Sequence, residues 1–351
     1  MMMAIISKRY MPAGVILGLL VVLCTGGYLL YADRQDRAGY TGPIEKVTVG
    51  AVGNETSTLV LIAAKMGYFR RNGLDVTILE YQSGNFSVDA LLDNKVDLAS
   101  CSEFALVERI FKRGKNLKCI GSYATVDNTE VIGRKDRMAN PGDLRGKRIG
   151  VTSTSIASFY LGVFLTFNGL ALDDVELVDI KPFDMKDALE EGKVDAVVTW
   201  EPNAWNVKEK MGDSVIAWPG QSRPYYWLLV STSEVVGARA GAIERFMRAL
   251  ARAEDFARQK GDEAKAIVRN RYNFDSAYLN HVWWSKTKYE LSLDQALFLA
   301  MEDEARWMIK NDMAYGHKEI PDYLHHLYPD ALLSARPKSV RLISMGTREG
   351  H

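Results

Sequence analysis

The chain has 351 residues, 47% hydrophobic and 25% charged, enough to bury a sizeable core and more than one small domain needs. Lysine plus arginine equals aspartate plus glutamate at 44 each, so the basic surplus that nucleic-acid binding draws on is absent and that partner is excluded. Three cysteines without a CxxC or Cys/His cluster give no sign of a zinc site.

In chain order, residues 1–11 read as a cytoplasmic tail and residues 12–32, "PAGVILGLLVVLCTGGYLLYA", as a transmembrane signal-anchor. This stretch holds no charge and has about the 20 residues a helix needs to cross a bilayer. Lys8 and Arg9 precede it, and Arg34 and Arg37 follow it, so basic residues specify orientation only weakly. The long remainder places the N-terminus inside and the body in the periplasm or outside the cell, anchored at the inner membrane. Cleavage and lipidation stay open as alternatives. "LLYAD" is a poor cleavage site, and Leu23 rather than a small residue precedes Cys24. An exported compartment permits a Cys101–Cys119 bridge, against which stands burial of both as small apolar residues.

Residues 33–44 form a linker in which Gly39, Gly42 and Pro43 discourage regular structure. "KVTVGAV" then reads as a strand, and Thr56, Ser57 and Thr58 offer caps to a helix carried by Leu59, Leu61 and Ile62. Next come the strand "LDVTILEY", the polar stretch "QSGNFS", the helix "VDALLDNK" and the strand "VDLASC". Strands alternating with helices predict a mostly parallel sheet with right-handed crossovers. "NPGDLRGKRIGV" marks a new start, and "TSTS" is a dense cap cluster before the helix "IASFYLGVFLTFNG". The strand "VDAVVTW" follows and ends at Glu201-Pro202, where proline stops the ladder. Beyond "YYWLLVSTSEV" long helices dominate, among them "GAIERFMRALARAEDFARQ" with an apolar stripe from Ile243 to Ala251. Two passages, "FSVDALLDNKVDLAS" and "KDALEEGKVDAVVTW", share Asp-Ala-Leu, a turn, Lys-Val-Asp and a buried strand. This puts Ser100–Glu103 and Trp200–Glu201 at equivalent strand ends.

"GDLRGKRIGVTSTSIASFYLGVFLTFNGLALDDVELVDIKPFDMKDALEEGKVDAVVTWEP", together with "IAAKMGYFRRNGLDVTILEYQSG" and the closing "EDEARWMIKN" and "IPDYLHHLYPDAL", resembles the nitrate/sulfonate/taurine substrate-binding proteins of ABC transporters, a group that includes binders of thiamin precursors. The resemblance spans about residues 45–345. It implies an α/β fold of the type II periplasmic-binding-protein kind, with two lobes around a ligand cleft. Lobe 1 would be residues 45–133 and 234–345, and lobe 2 residues 134–233. It further implies a small-molecule ligand, an ABC permease as partner and closure of the lobes on the ligand. The anchor departs from the family's removable signal and admits a ligand-sensing receptor as the alternative. The cysteine-rich iron motif of pyrimidine synthases with the same fold is missing.

The candidate ligand residues follow from strand ends, caps and this resemblance. They are Asn54 and Thr56 after the first strand, Ser83, Gly84 and Asn85 in the family's Gly-rich loop, and Ser102 after the third. Ser153, Thr154 and Ser155 belong to the cap cluster, where helix N–H groups receive an oxyanion although plain capping needs only one of the four hydroxyls. Trp200 and Glu201 complete the set, a ring to stack and a carboxylate to pair with a ligand nitrogen. With Glu55 and Glu103 also near the cleft, a sulfonate-like zwitterion or nitrogenous molecule is expected, flanked by Tyr123, Phe86 or Tyr226. Asp184 and Glu201 have no nucleophile–base partner, so no catalytic residue, cofactor or metal is expected. His281 stands without a metal-spaced neighbour, and His325 and His326 are adjacent rather than on one helical face.

Overall fold

The computed structural model describes residues 40–114 and 116–342. The anchor expected at 12–32 lies outside the described residues. Among those described, no helix is long and apolar enough to cross a membrane.

The first sheet begins with β1 (Glu45–Val52), α1 (Thr58–Lys65), the single turn α2 (Tyr68–Arg71), β2 (Leu74–Tyr81), α3 (Gly84–Leu92), β3 (Leu98–Ser102), α4 (Glu103–Arg113) and β4 (Leu117–Val126). The chain crosses at Asp127 and Asn128 into a second sheet. That sheet contains β5 (Thr129–Arg134), β6 (Arg148–Val151), α5 (Ile156–Phe167), β7 (Glu176–Asp179), α6 (Met185–Glu190), β8 (Ala196–Trp200), α7 (Asn203–Met211) and β9 (Val215–Pro219). It returns through 220–224 to β10 (Tyr225–Thr232), then α8 (Ser233–Gln259), α9 (Gly261–Tyr272), α10 (Ser276–Val282), β11 (Thr287–Lys288), α11 (Gln295–Lys310) and α12 (Asp330–Ala335).

The strand orders are β11-β4-β10-β3-β1-β2 and β7-β6-β8-β5-β9. Neither sheet is mostly parallel, contrary to the alternation rule. β1 is parallel to β2 and β3, and β6 to β7 and β8, whereas β10 and β5 run against their neighbours. Apart from the two-residue β11, which also runs against β4, each antiparallel strand is the one that enters from the other lobe. The expected lobe boundaries shift for the same reason, since β5 joins the second sheet and β10 the first. The turn at "NPGDL" looks like a lobe entry but lies inside the second lobe. Gln221 ties the two crossings together: its Nε2 donates to the Val126 carbonyl at 3.0 Å and its Oε1 accepts from the Thr129 N–H at 2.6 Å.

β8 reads as an unbroken apolar run because it is covered on both faces. Val198 and Trp200 pack with Ala157 and Leu161 of α5, while Val197 packs with Leu189 of α6 and Val207 of α7. Each fully buried Val or Leu is worth about 1.5–3 kcal/mol. The stripe of α8 (Ile243, Phe246, Met247, Leu250, Ala251) is buried as the periodicity predicts, against α1 and α12. Cys101 and Cys119 are buried free thiols. β10 separates their strands, which holds them beyond disulfide reach.

Candidate functional site

Three serines stand where strands or loops hand over to helices at the cleft. Ser83 caps α3, Ser102 caps α4 and Ser155 caps α5. The polar stretch expected as a loop before α3 is in fact its first turn, since the helix opens at Gly84. A Cβ on Gly84 would lie 2.7 Å from the Cys101 Cα, so only glycine lets this helix end approach β3 so closely. All three serines line one cavity with Val52, Asn54, Gly84, Asn85, Ile156, Trp200, Tyr225 and Trp227. Its volume is about 30 Å³, room for one or two waters and hence for a head group rather than a whole ligand.

None of the side chains lining this cavity is charged, so its walls offer hydroxyls, two amides and the backbone of three helix ends. The helices that begin there have 9, 11 and 12 residues. First-turn N–H groups have no partner within their helix, and each N-terminus carries roughly half a positive charge. Neither Ser83 nor Ser155 spends its hydroxyl on its helix's N–H groups; the Ser155 hydroxyl donates to the Thr152 carbonyl at 2.7 Å. Across the cleft, Asn85 Nδ2 donates to the Thr154 carbonyl at 3.0 Å, so α3 of one lobe touches the cap cluster of the other.

Seven expected residues meet at the cavity: Asn54, Ser83, Gly84, Asn85, Ser102, Ser155 and Trp200. Thr56 does not, as its N–H and hydroxyl both donate to Asn54 Oδ1, at 3.1 and 2.6 Å. Ser153 is exposed, with its N–H on Asp179 Oδ1 at 2.8 Å. Thr154, at φ 56°, reaches the site through Asn85, whose Nδ2 donates to its carbonyl at 3.0 Å and lies 3.4 Å from its hydroxyl.

Glu201 is the main correction. β8 ends at Trp200, and Glu201, in the turn that follows, does not line the cavity that Trp200 lines. Glu201 is fully buried and accepts from the Trp205 N–H at 2.7 Å, with His281 Nε2 at 3.1 Å and Lys208 Nζ at 3.7 Å. Burial raises its carboxyl and Lys208 opposes the rise. Glu55 and Glu103 are equally turned away. Glu55 accepts from Tyr278 at 2.8 Å and Asn128 at 3.2 Å, and burial lifts it to about 7. Glu103 accepts from Arg223 and from the Tyr226 N–H, each at 3.0 Å. Arg223 also holds Glu304 at 3.0 Å.

His281 has neighbours that sequence spacing did not reveal. Ligand atoms of Glu130, Glu201 and His281 lie within 4.8 Å of one another. Lys208 Nζ lies 2.8 and 2.7 Å from the two Glu130 oxygens, so an ammonium already compensates this cluster. His326 is buried, with Nδ1 2.8 Å from the Leu117 carbonyl.

The ring partners also differ from expectation. Tyr123 is fully buried and its hydroxyl accepts from Trp227 Nε1 at 2.9 Å. Phe86 is exposed, and the Tyr226 hydroxyl is 3.2 Å from Asp294 Oδ1. The cavity walls are instead Tyr225, Trp227 and Trp200. Alternation along "YYWLLV" was the available signal, since Tyr225 and Trp227 share a face that Tyr226 cannot.

A Haemophilus influenzae chain named as a thiamine biosynthesis protein is 26% identical over 241 residues, 67% of this chain and 76% of that one. Among solved structures, the alkanesulfonate-binding protein SsuA from Xanthomonas axonopodis pv. citri bound to MOPS superposes with a TM-score of 0.70 at 15% identity, over 82% of this chain and 100% of that one. The desulfurization enzyme DSZB superposes with a TM-score of 0.62 at 17% identity, over 84% and 99%. These structures share the periplasmic-binding-protein fold, on which both binders and an enzyme are built. The family described as NMT1/THI5 like matches residues 54–264, and with its two crossing strands and interlobe cleft the chain belongs to that family.

Proposed function

We propose that the chain is the extracytoplasmic solute-binding protein of an ABC importer, tethered through residues 12–32, and that it traps a small organic oxyanion such as a sulfonate for delivery to a permease. One observation carries the reading: three helix N-termini and their serines converge on an uncharged, aromatic-walled cavity. That arrangement favours an anion at no cost in buried cationic side chains. The three carboxylates that would have paired with a ligand nitrogen are engaged elsewhere, so the nitrogenous ligand loses its anchor. MOPS, the molecule on the Xanthomonas protein, is itself a sulfonate. The lining has no His, Cys, Lys, Asp or Glu to serve as a base for its serines, which supports capture without turnover.

Replacing Ser155 by aspartate in the full chain tests the polarity. Aspartate caps a helix as well as serine does, yet it adds a negative charge to the cavity. Ethanesulfonate affinity, measured by calorimetry, is expected to fall at least tenfold, about 1.4 kcal/mol, and because a carboxylate cannot replace the Ser155 donation to the Thr152 carbonyl, a melting curve verifies that the variant is folded. Equal affinity in the two proteins would remove the oxyanion reading.

A further inference from the structure

The inner cavity is too small for the whole of an organic ligand, and it opens onto a larger one. A second cavity of about 210 Å³ shares Val52, Asn54 and Trp200 with it and adds Tyr81, Phe183 and Pro202. Phe183 is the unusual member. It is 60% exposed and lines both this cavity and the next one outward. It sits in a one-turn helix, Pro182–Asp184, whose proline is buried, so the ring is held at the cleft by a stiff turn anchored in lobe 2. Tyr81 stands at the carboxyl end of β2 in lobe 1. The acid in this second cavity, Glu80, is neutralised by Arg271, whose Nε and Nη2 lie 2.9 and 2.8 Å from Glu80 Oε1. Phe183 and Asn203 also line a third cavity of about 370 Å³ with Lys186 and Lys210, which continues the path to the surface.

We infer that the second cavity is the subsite for the body of the ligand, and that the cognate molecule is an oxyanion bearing an uncharged ring or extended apolar group, with Phe183 as the specificity residue. The inference rests on the oxyanion reading above. The head group meets the helix ends, the body passes Trp200, and lobe closure brings Phe183 and Tyr81 over it. Aromatic side chains at such a station favour planar partners through stacked or edge contacts, and the apolar area removed from water adds affinity in proportion to the body's size.

The test compares methanesulfonate with naphthalene-2-sulfonate on the full chain by calorimetry, in wild type, Phe183→Ala and Ser155→Asp. Wild type is expected to bind the naphthalene compound at least tenfold more tightly. Phe183→Ala lowers that ratio about tenfold, Phe183→Tyr restores it, and melting curves verify that the variants fold. If both sulfonates bind wild type equally, or the ratio survives in Phe183→Ala, the subsite is overturned while the oxyanion reading stands. If neither sulfonate binds, or Ser155→Asp binds both as well as wild type, the oxyanion reading fails and takes the subsite with it.

Discussion

Glu55 carries a carboxyl that water does not reach, and burial lifts it to about 7 even though Tyr278 and Asn128 donate to its oxygens. The folded chain therefore holds this proton more tightly than an unfolded chain, whose carboxyl sits near 4.5. The stability it contributes is complete below pH 4.5 and is lost as pH rises through about 7, amounting to roughly 3 kcal/mol at most. Glu55→Gln imitates the protonated state. In urea unfolding at pH 5 and pH 8, wild type minus variant stability is expected to fall by about that amount across the interval, and a difference independent of pH would show that Glu55 is ionised throughout. Residue by residue, the sequence located strand ends and caps well, because capping hydroxyls are local signals. Asn54, Ser83, Ser102 and Ser155 reached the cavity for that reason. Glu201 misses the cavity because, one residue past β8, its carboxylate is taken by the Trp205 N–H and by His281, and the second of these partners is 80 residues away in sequence.

At the scale of elements, the repeated Lys-Val-Asp has a mechanical explanation. Each helix before it stops at a left-handed residue, Asn94 at φ 56° and Gly192 at φ 71°, positions that favour asparagine and glycine. Each aspartate then pins its strand to the neighbouring one. The Asp97 N–H donates to the Thr48 carbonyl at 3.0 Å while Asp97 Oδ2 accepts the Thr48 N–H at 2.7 Å. Asp195 repeats the pair on Arg148, at 2.8 and 2.9 Å. Burial pushes both carboxyls upward, but these backbone bonds and the flanking guanidinium groups, Arg239 for one and Arg137 and Arg148 for the other, outweigh it and hold both below the ordinary value. Asp97→Ala and Asp195→Ala are each expected to cost about 1–3 kcal/mol in denaturant unfolding at neutral pH, and to leave a protein less sensitive to acid than wild type. A loss confined to one of the two would contradict the shared role.

For the whole molecule, the two sheets share one plan. Reading β2-β1-β3-β10-β4 beside β7-β6-β8-β5-β9, the repeated strands β3 and β8 occupy the same third place, each beside the antiparallel strand that crosses between lobes. Helix α5 joins the lobes. Ala157, Leu161, Phe164 and Leu165 face its own core, while Ile156, Phe159 and Tyr160 enter the core of lobe 1, with Phe159 and Trp307 rings 5.6 Å apart. A helix apolar on two stripes is buried from two sides. Gly162 lets it approach Trp307, for a Cβ there would lie 2.7 Å from the indole Nε1. Gly162→Ala would gain up to about 1 kcal/mol in helix propensity but overpack the interlobe contact by about 1–3 kcal/mol. The expected net result is weaker sulfonate binding, up to about tenfold, with a larger radius of gyration in X-ray scattering. Unchanged size with equal or tighter binding would mean that the lobes open without moving α5 from Trp307.

Local signals, namely alternation, caps, turns and apolar stripes, sufficed for the elements, for the two α/β lobes and for most of the cleft rim, because each depends on residues a few positions apart. Three features needed the folded chain: which lobe owns β5 and β10, how Glu55, Glu201 and His281 find partners 73 to 223 residues away, and how three separate helix ends come to surround one cavity. These depend on how the chain crosses twice between the sheets, and strand pairing over such separations is set by packing of the whole rather than by any window of sequence.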